Sequence, residues 1–449
     1  MHSSRYNLVF EIEGRDQALV LNPLSRAMDA VPVTEDSLLS VLRGDRSPED
    51  LGREEVAYLL SRGYLFLSSA DEDGLLARLV LEDENHTGPV DFLLFPTFLC
   101  NFRCPYCFQG QRPSGDALLT FDALDRVFRA IAEIRRCRDA DQPPLLYLFG
   151  GEPLLQGKRP EALIRRILER ARTEGCRVAI ITNGWSLSHY ADLLVEHGVE
   201  LVQVTLDGPP RIHDRRRCRP GETGTFERIA QGVTRLLGTG TRAHVRCNLD
   251  AENLEAVPEL ARTALALGWD REDLTLFVGP YRDLLSFRYS HRLPEPVMLS
   301  RMLTFHQELP ETRIVQLVGW PGVDYVLSFL RDGLLPLPRP SYCIASYGRF
   351  AFTPDGKVYA CGTAAGDDDH AIGSYAPTLE LDPRRSAAWR SRRFTDIPQC
   401  ASCSVAPICG GGCTLQSRLK HGGSRPFCPE IRGNLEVMLT HCYERILEA

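Results

Sequence analysis

Between residues 89 and 280 the chain alternates two hydrophobic periodicities, and that alternation limits its fold more than any other feature. Short apolar runs occur at "PVDFLLFP", "LLYLFGG", "CRVAIITNG", "ELVQVTLDGP", "RAHVRCNLD" and "DLTLFVGP". Amphipathic segments such as "FDALDRVFRAIAEI", "PEALIRRILERARTEG" and "FERIAQGVTRLLG" lie between them. Six strands alternating with helices predict an α/β fold with a parallel sheet, curled as a partial or full barrel. Functional residues are then expected in loops after the C-terminal ends of the strands.

The flanks read differently. At 449 residues the chain exceeds one comfortable core, so two or three domains are expected. Residues 1–88 hold two strand-like runs, "YNLVFEIEG" and "QALVLNP", then helical "EDSLLSVLRG" and "REEVAYLLSRG", then "YLFLSS". That order suggests a small α+β, winged-helix-like module, or an extension packed on the main domain. The barrel is placed at 89–310. Residues 311–449 begin as an irregular helical bridge and end in an irregular, cysteine-rich region.

Composition narrows the function. A net charge of −7 argues weakly against general nucleic-acid binding. Lys158, Lys357 and Lys420 are the only lysines, which GC-rich codon usage explains as well as any anion-binding role. The N-terminus lacks a basic head followed by an apolar core, and no stretch approaches the ~20 apolar residues of a membrane span. Fifteen cysteines without a secretion signal point to a reducing, cytoplasmic compartment, where clustered thiols bind metal or do redox chemistry.

The first cluster directly follows the first barrel strand. Cys100, Cys104 and Cys107 are spaced C-x3-C-x2-C, with Tyr106 before the last. Structural zinc usually takes four ligands, whereas three thiolates on a cubic iron–sulfur cluster leave one iron open. Further motifs end later strands: "GGEP" (Gly150, Gly151, Glu152, Pro153), "TNG" (Thr182, Asn183, Gly184), "TLDGP" with Thr205, and "VRCNLD" with Arg246 and Asn248. This ordered set resembles the radical SAM enzyme family, whose fold is a partial (β/α)6 TIM-like barrel. The resemblance implies a [4Fe–4S] cluster on Cys100, Cys104 and Cys107 whose open iron chelates S-adenosylmethionine. One electron, from a donor such as flavodoxin or ferredoxin, then yields a 5′-deoxyadenosyl radical that abstracts a substrate hydrogen. It also implies cofactor contacts at Gly150, Gly151, Glu152, Thr182, Asn183, Thr205, Arg246 and Asn248. Glu152 supplies negative charge or shapes its turn.

A second array comprises Cys343, Cys361, Cys400, Cys403, Cys409, Cys413 and Cys428. Its spacing, C-x12-G-x4-C, a gap, C-x2-C-x5-C-x3-C, a gap and C, resembles the SPASM extension of radical SAM enzymes. That resemblance implies two auxiliary [4Fe–4S] clusters, three clusters in all. Cys343, Cys361 and Cys413 would hold the first, and Cys400, Cys403, Cys409 and Cys428 the second. "CGGGC" (Cys409–Cys413) would let the backbone turn sharply between the two sets. Several relatives carry one more cysteine about six residues before the array, where this chain has Leu337. The first auxiliary cluster is therefore expected to lack a fourth cysteine. Cys442 reads as a buried helical cysteine or an extra ligand, and Cys137, Cys176, Cys218 and Cys247 as ordinary residues.

Two charged stretches remain. "RIHDRRRCRP" (211–220) is expected to be a solvated loop, with contact to an acidic substrate segment or to the cofactor's carboxylate as the alternative; His213 and Asp214 suggest structure. "GDDDH" (366–370) reads as a surface loop. Radical SAM enzymes with this extension mostly modify peptides or proteins. The reading preferred is a maturase that installs a thioether, carbon–carbon or similar crosslink in a ribosomally made precursor peptide, its leader captured by residues 1–88. Alternatives are a formylglycine-forming sulfatase maturase and a non-catalytic iron–sulfur electron carrier. Neither nucleic acid nor membrane is an expected partner.

Overall fold

The computed structural model describes residues 1–85, 90–109, 118–137, 142–221, 224–282, 285 and 291–448. The boundary expected at 88–89 lies outside the described residues. Strand β1 (His2–Ser3) precedes a three-stranded antiparallel sheet of β2 (Leu8–Phe10), β3 (Gln17–Asn22) and β4 (Ala27–Pro32), and β5 (Leu65–Phe66) returns to pair with β1. The sequence reading missed β4. Asn22 starts the turn into it, its side-chain carbonyl accepting from the Leu24 and Ser25 amides at 2.9 and 3.0 Å.

Period-two alternation gives this sheet two buried faces. Leu8, Phe10, Leu19, Leu21 and Met28 enter the large central core. Ala18, Val20, Ala27 and Val31 pack with Leu39, Leu42 and Leu59 of the helices Asp36–Arg43 and Arg53–Arg62. Tyr6 and Leu24 reach another way, packing with Phe394, Ile397 and Cys400. The N-terminal residues are thus wedged against both the barrel and the cysteine-rich region.

The six expected strands are present and parallel, in chain order: β6 (Asp91–Leu94), β7 (Leu145–Leu148), β8 (Arg177–Thr182), β9 (Leu201–Thr205), β10 (Arg242–Leu249) and β11 (Leu274–Pro280). Helices cover them with one apolar stripe each. In Phe121–Cys137 the stripe is Leu124, Val127, Phe128, Ile131 and Ile134, at helical spacing.

Both ends of this row are extended. β12 (Val315–Leu317) adds a parallel strand to β11. On the other side β13 (Arg349–Phe352) pairs in parallel with β6 and continues antiparallel into β14 (Lys357–Tyr359), β15 (Ala371–Ser374) and β16 (Glu380–Leu381). The result is one mostly parallel 11-stranded sheet with β12 and β16 at its open edges. Among the described residues no helix is long and apolar enough to cross a membrane.

Candidate functional site

The strand ends converge on one cavity of about 410 Å³. Cys100, Cys104 and Cys107 line it from the loop after β6, Gly150 and Gly151 from β7, Thr182 and Asn183 from β8, Thr205 from β9, and Arg246 and Asn248 from β10. Beyond β11, Tyr281 and Arg282 complete the wall. Of the residues expected at a barrel cofactor site, only Glu152 stands behind the cavity rather than in its wall.

Two of these positions admit no side chain. A Cβ on Gly150 would lie 2.5 Å from the Thr97 carbonyl, and one on Gly151 only 2.1 Å from that of Leu99. The cysteine loop therefore rests on bare backbone at the end of β7. Hydrogen bonds from Gly151 N to Thr97 O (3.1 Å) and Glu152 N to Leu99 O (2.8 Å) fix it there. The Glu152 carboxylate, 1% exposed, accepts from Thr182 Oγ1 (2.6 Å), Asn183 N (2.6 Å) and Leu154 N (2.8 Å). It shapes the turn by tying the ends of β7 and β8 together. Burial still raises its pKa, against the pull of those donors. Asn183 in turn donates to Asn101 Oδ1 at 2.7 Å, beside Cys100.

The arginine run departs from expectation. Residues Pro210–Arg216 form a helix, and Arg216 is 1% exposed. Its guanidinium donates to Asp250 at 2.8 Å and Glu252 at 2.8 Å, and lies 3.8 Å from Asp207. Arg217 lines the cavity and donates to the Tyr106 hydroxyl at 2.7 Å; that hydroxyl donates to Asp207. Asp207 also accepts from Asn248 N at 3.0 Å. Of the run's arginines, Arg211 and Arg215 keep the exposed position expected of the whole run. The acids that neutralise it end other strands, so the run alone gave no sign of them. His213 accepts from Asp207 N at 3.2 Å, and Asp214 accepts from Thr225 N at 2.8 Å, both internal contacts.

These thiols suit a metal centre. Burial pushes Cys100 up to about 12, with Glu152 adding to it, and Cys104 up to about 11 despite the nearby Arg217. A thiol held protonated at neutral pH is a poor nucleophile, whereas a metal displaces that proton. Among the described residues no three His, Cys, Asp or Glu side chains gather as around a single ion. A polynuclear cluster seats each thiolate on a different iron and spreads them wider.

The second array separates into two neighbourhoods. Burial raises Cys361 to about 11, and Cys343 and Cys413 are the thiols that add to it. Burial raises Cys409 to about 12, and there the added thiols are Cys400, Cys428 and Cys403. The "GGG" between Cys409 and Cys413 passes between the two. A Cβ on Gly410 would sit 2.3 Å from the Ser341 carbonyl carbon, just before Cys343; one on Gly412 would sit 1.8 Å from Phe427 O, just before Cys428. Cys442 is 2% exposed in the central core, and the charge acting on it is Arg445 rather than another cysteine. Cys137 and Cys218 are exposed and Cys247 is buried.

Three thiols on the loop after β6, facing a ring of strand-end residues, make this the candidate cofactor site at the C-terminal ends of the parallel strands. A family model of the Radical SAM superfamily matches residues 94–264. A GTP 3′,8-cyclase of Rhizobium meliloti (strain 1021) is 31% identical over 274 residues, 58% of this chain and 72% of that protein. The chain belongs to the radical SAM superfamily of enzymes, and membership implies S-adenosylmethionine and a [4Fe–4S] cluster. A PqqA peptide cyclase of Rhodopseudomonas palustris is 26% identical over 339 residues, 73% of this chain and 83% of that protein. Among solved structures, native anSMEcpe with bound AdoMet gives a TM-score of 0.61 at 18% identity, covering 80% of this chain and 98% of its own. SuiB of Streptococcus suis, bound to precursor peptide SuiA, gives 0.56 at 14%, covering 96% and 99%.

Proposed function

We propose that this enzyme modifies a ribosomally synthesised peptide, capturing the leader at its N-terminal sheet and installing a crosslink in the core. The observation that carries the reading is the edge of β4, which among the described residues pairs with β3 alone. Beside it runs a groove of about 260 Å³ floored by Val20, Val31, Leu38, Leu42 and Leu59 and flanked by Tyr58 and Tyr64. An extended peptide adding to β4 gains main-chain hydrogen bonds there and pockets for alternate side chains. The likeness to SuiB spans 96% of the chain and supports the same reading.

In this reading Cys100, Cys104 and Cys107 hold the radical cluster. Cys343, Cys361 and Cys413 hold one auxiliary cluster and Cys400, Cys403, Cys409 and Cys428 another. With the cluster and S-adenosylmethionine held there, the site would supply radical chemistry for hydrogen abstraction from the peptide. The chain's own residues orient the cofactor. Arg217 and Arg246 bring positive charge to the cavity, where a carboxylate belongs. Gly150 and Gly151 keep the cysteine loop seated, and Thr205 and Asn248 offer hydrogen bonds. A second reading, a nucleotide cyclase, draws on the 31% identity to GTP 3′,8-cyclase, though that match spans only 58% of the chain.

The test uses reconstituted enzyme and synthetic peptides from short reading frames beside the gene. Leu38→Asp and Tyr58→Ala, both at the groove, should each weaken precursor binding tenfold or more while sparing peptide-free cleavage of S-adenosylmethionine. Undiminished modification by both variants, or consumption of GTP in place of peptide, defeats the proposal.

A further inference from the structure

Charge is spread unevenly along this chain. Residues 383–428 hold eight Lys and Arg and a single acid, Asp396, in a protein whose net charge is −7. The same stretch carries Cys400, Cys403, Cys409 and Cys428. On the barrel, exposed arginines are neutralised by neighbours: Arg177 and Arg242 by Glu200, Arg211 by Glu259, Arg235 by Asp192. By contrast Arg384, Arg392, Arg418, Lys420 and Arg425 have no carboxylate partner among the described residues.

The fold gathers these cations around the thiols. Arg392 donates to the Gly423 and Arg425 carbonyls at 2.7 and 3.0 Å, which draws its segment onto the loop that leads to Cys428. Lys420 lies 4.8 Å from the centre of the Phe427 ring, beside Cys428, and Arg418 lies 5.4 Å from the Trp389 ring. Arg418 is within electrostatic reach of Arg385 and Arg392, and Arg392 within reach of Cys400. Lys420, His421 and Arg425 are exposed. So is Cys428, alone among the cysteines expected to hold iron.

Like charges held together repel, and a partner of opposite charge relieves that repulsion. The thiolates account for Arg392, half-buried against them, but not for the exposed Lys420 and Arg425. Radical chemistry at the barrel needs an electron from outside, and the barrel thiols are themselves half-buried. A redox protein must bring its own centre close to an iron site, and the thiol set that includes Cys428 is the one open to solvent. We propose that this cationic ridge is the docking surface of a small acidic protein that carries single electrons. Docked there, the carrier loses one electron and the iron–sulfur group held by Cys400, Cys403, Cys409 and Cys428 gains it. No bond forms or breaks, and no proton moves. Electron-transfer complexes are small and polar, and charge steers their encounter, so unpaired surface cations suit the task. The proposal rests on the iron–sulfur reading of these four thiols and adds where the electron enters and what recognises its carrier.

The test takes the full-length reconstituted enzyme and, as probe, a small acidic flavodoxin bearing a fluorescent label, read by anaerobic anisotropy. Wild-type binding should weaken about tenfold between low and roughly threefold physiological ionic strength, as screening of exposed charges requires. At low salt, Lys420→Glu combined with Arg425→Glu should weaken it about tenfold. Arg165→Glu combined with Arg166→Glu, on the barrel helix Lys158–Thr173, changes the net charge equally and should bind as wild type does. Driven by reduced flavodoxin, peptide-free 5′-deoxyadenosine formation should slow about tenfold in the ridge variant. Driven by photoreduced deazariboflavin, a small uncharged donor, it should keep the wild-type rate, with iron per chain unchanged. Absent or salt-insensitive binding, equal loss in both variants, or loss of iron from the ridge variant overturns the docking surface. Equally tight capture of a single-stranded oligonucleotide overturns it too. If Cys400→Ser combined with Cys403→Ser loses no iron, the iron–sulfur reading of these thiols falls, while anisotropy, which needs no cluster, still decides the docking surface.

Discussion

Replacing Gly151 by Ala puts the seating of the cysteine loop to a direct test. The new Cβ would meet Leu99 O at 2.1 Å and Phe98 O at 2.4 Å, both backbone atoms that no side-chain rotation moves. Ordinary contact begins at 3.4 Å, so the loop must retreat by about 1 Å, and its hydrogen bonds to Gly151 N and Glu152 N oppose that. The strain should cost on the order of 1–3 kcal/mol of stability, as in other overpacked interiors. A misplacement of about 1 Å at a reacting centre costs roughly 10²-fold in rate, so peptide-free 5′-deoxyadenosine formation should fall about a hundredfold. Rates would be measured by chromatography and mass spectrometry under reducing, anaerobic conditions, normalised to iron content. Gly74→Ala is the control: it lies within the helix Ser69–Asn85 with nothing within 4 Å of its Cβ. That variant should be as active as wild type and slightly more stable. A Gly151→Ala enzyme with full iron and a wild-type rate would refute the argument.

Two further outcomes are expected. Cys442→Ser should leave iron per chain unchanged after reconstitution, whereas Cys413→Ser should lower it; equal losses would make Cys442 a ligand. Stability should fall as the pH drops from about 6.5 towards 3 on account of His213, whose imidazole is held down to about 3 by burial and by Arg217. The unfolded chain takes up that proton near pH 6.5 and the folded chain does not, so at pH 5 the loss is on the order of 2 kcal/mol. Denaturant unfolding at pH 7 and pH 5 would show it, and His213→Gln should flatten the difference.

Much of the barrel was legible because it is written in local periodicity. Each strand run from "PVDFLLFP" to "DLTLFVGP" lies where the structure has a parallel strand, and each motif lies at a strand's C-terminal end. What escaped depends on residues far apart in sequence. Arg216 and Arg217 look solvated because a run of like charge usually is, and their acid partners Asp207, Asp250 and Glu252 stand on separate strand ends. β13 looked like part of a separate region, since nothing in "RFAF" shows that it pairs with β6, 258 residues earlier.

The pairing of β13 with β6 has a consequence for how the molecule comes into being. β6 leads into the cysteine loop, and one of its two neighbours is encoded after every other parallel strand. Until residues 349–352 emerge during synthesis, β6 keeps an open edge, and the loop that carries Cys100, Cys104 and Cys107 hangs from a half-supported strand. Such long-range parallel pairing folds slowly and leaves a sticky intermediate exposed. Slower translation or a lower growth temperature should therefore raise the yield of folded chain, and truncation before β13 should yield aggregates in place of a smaller barrel.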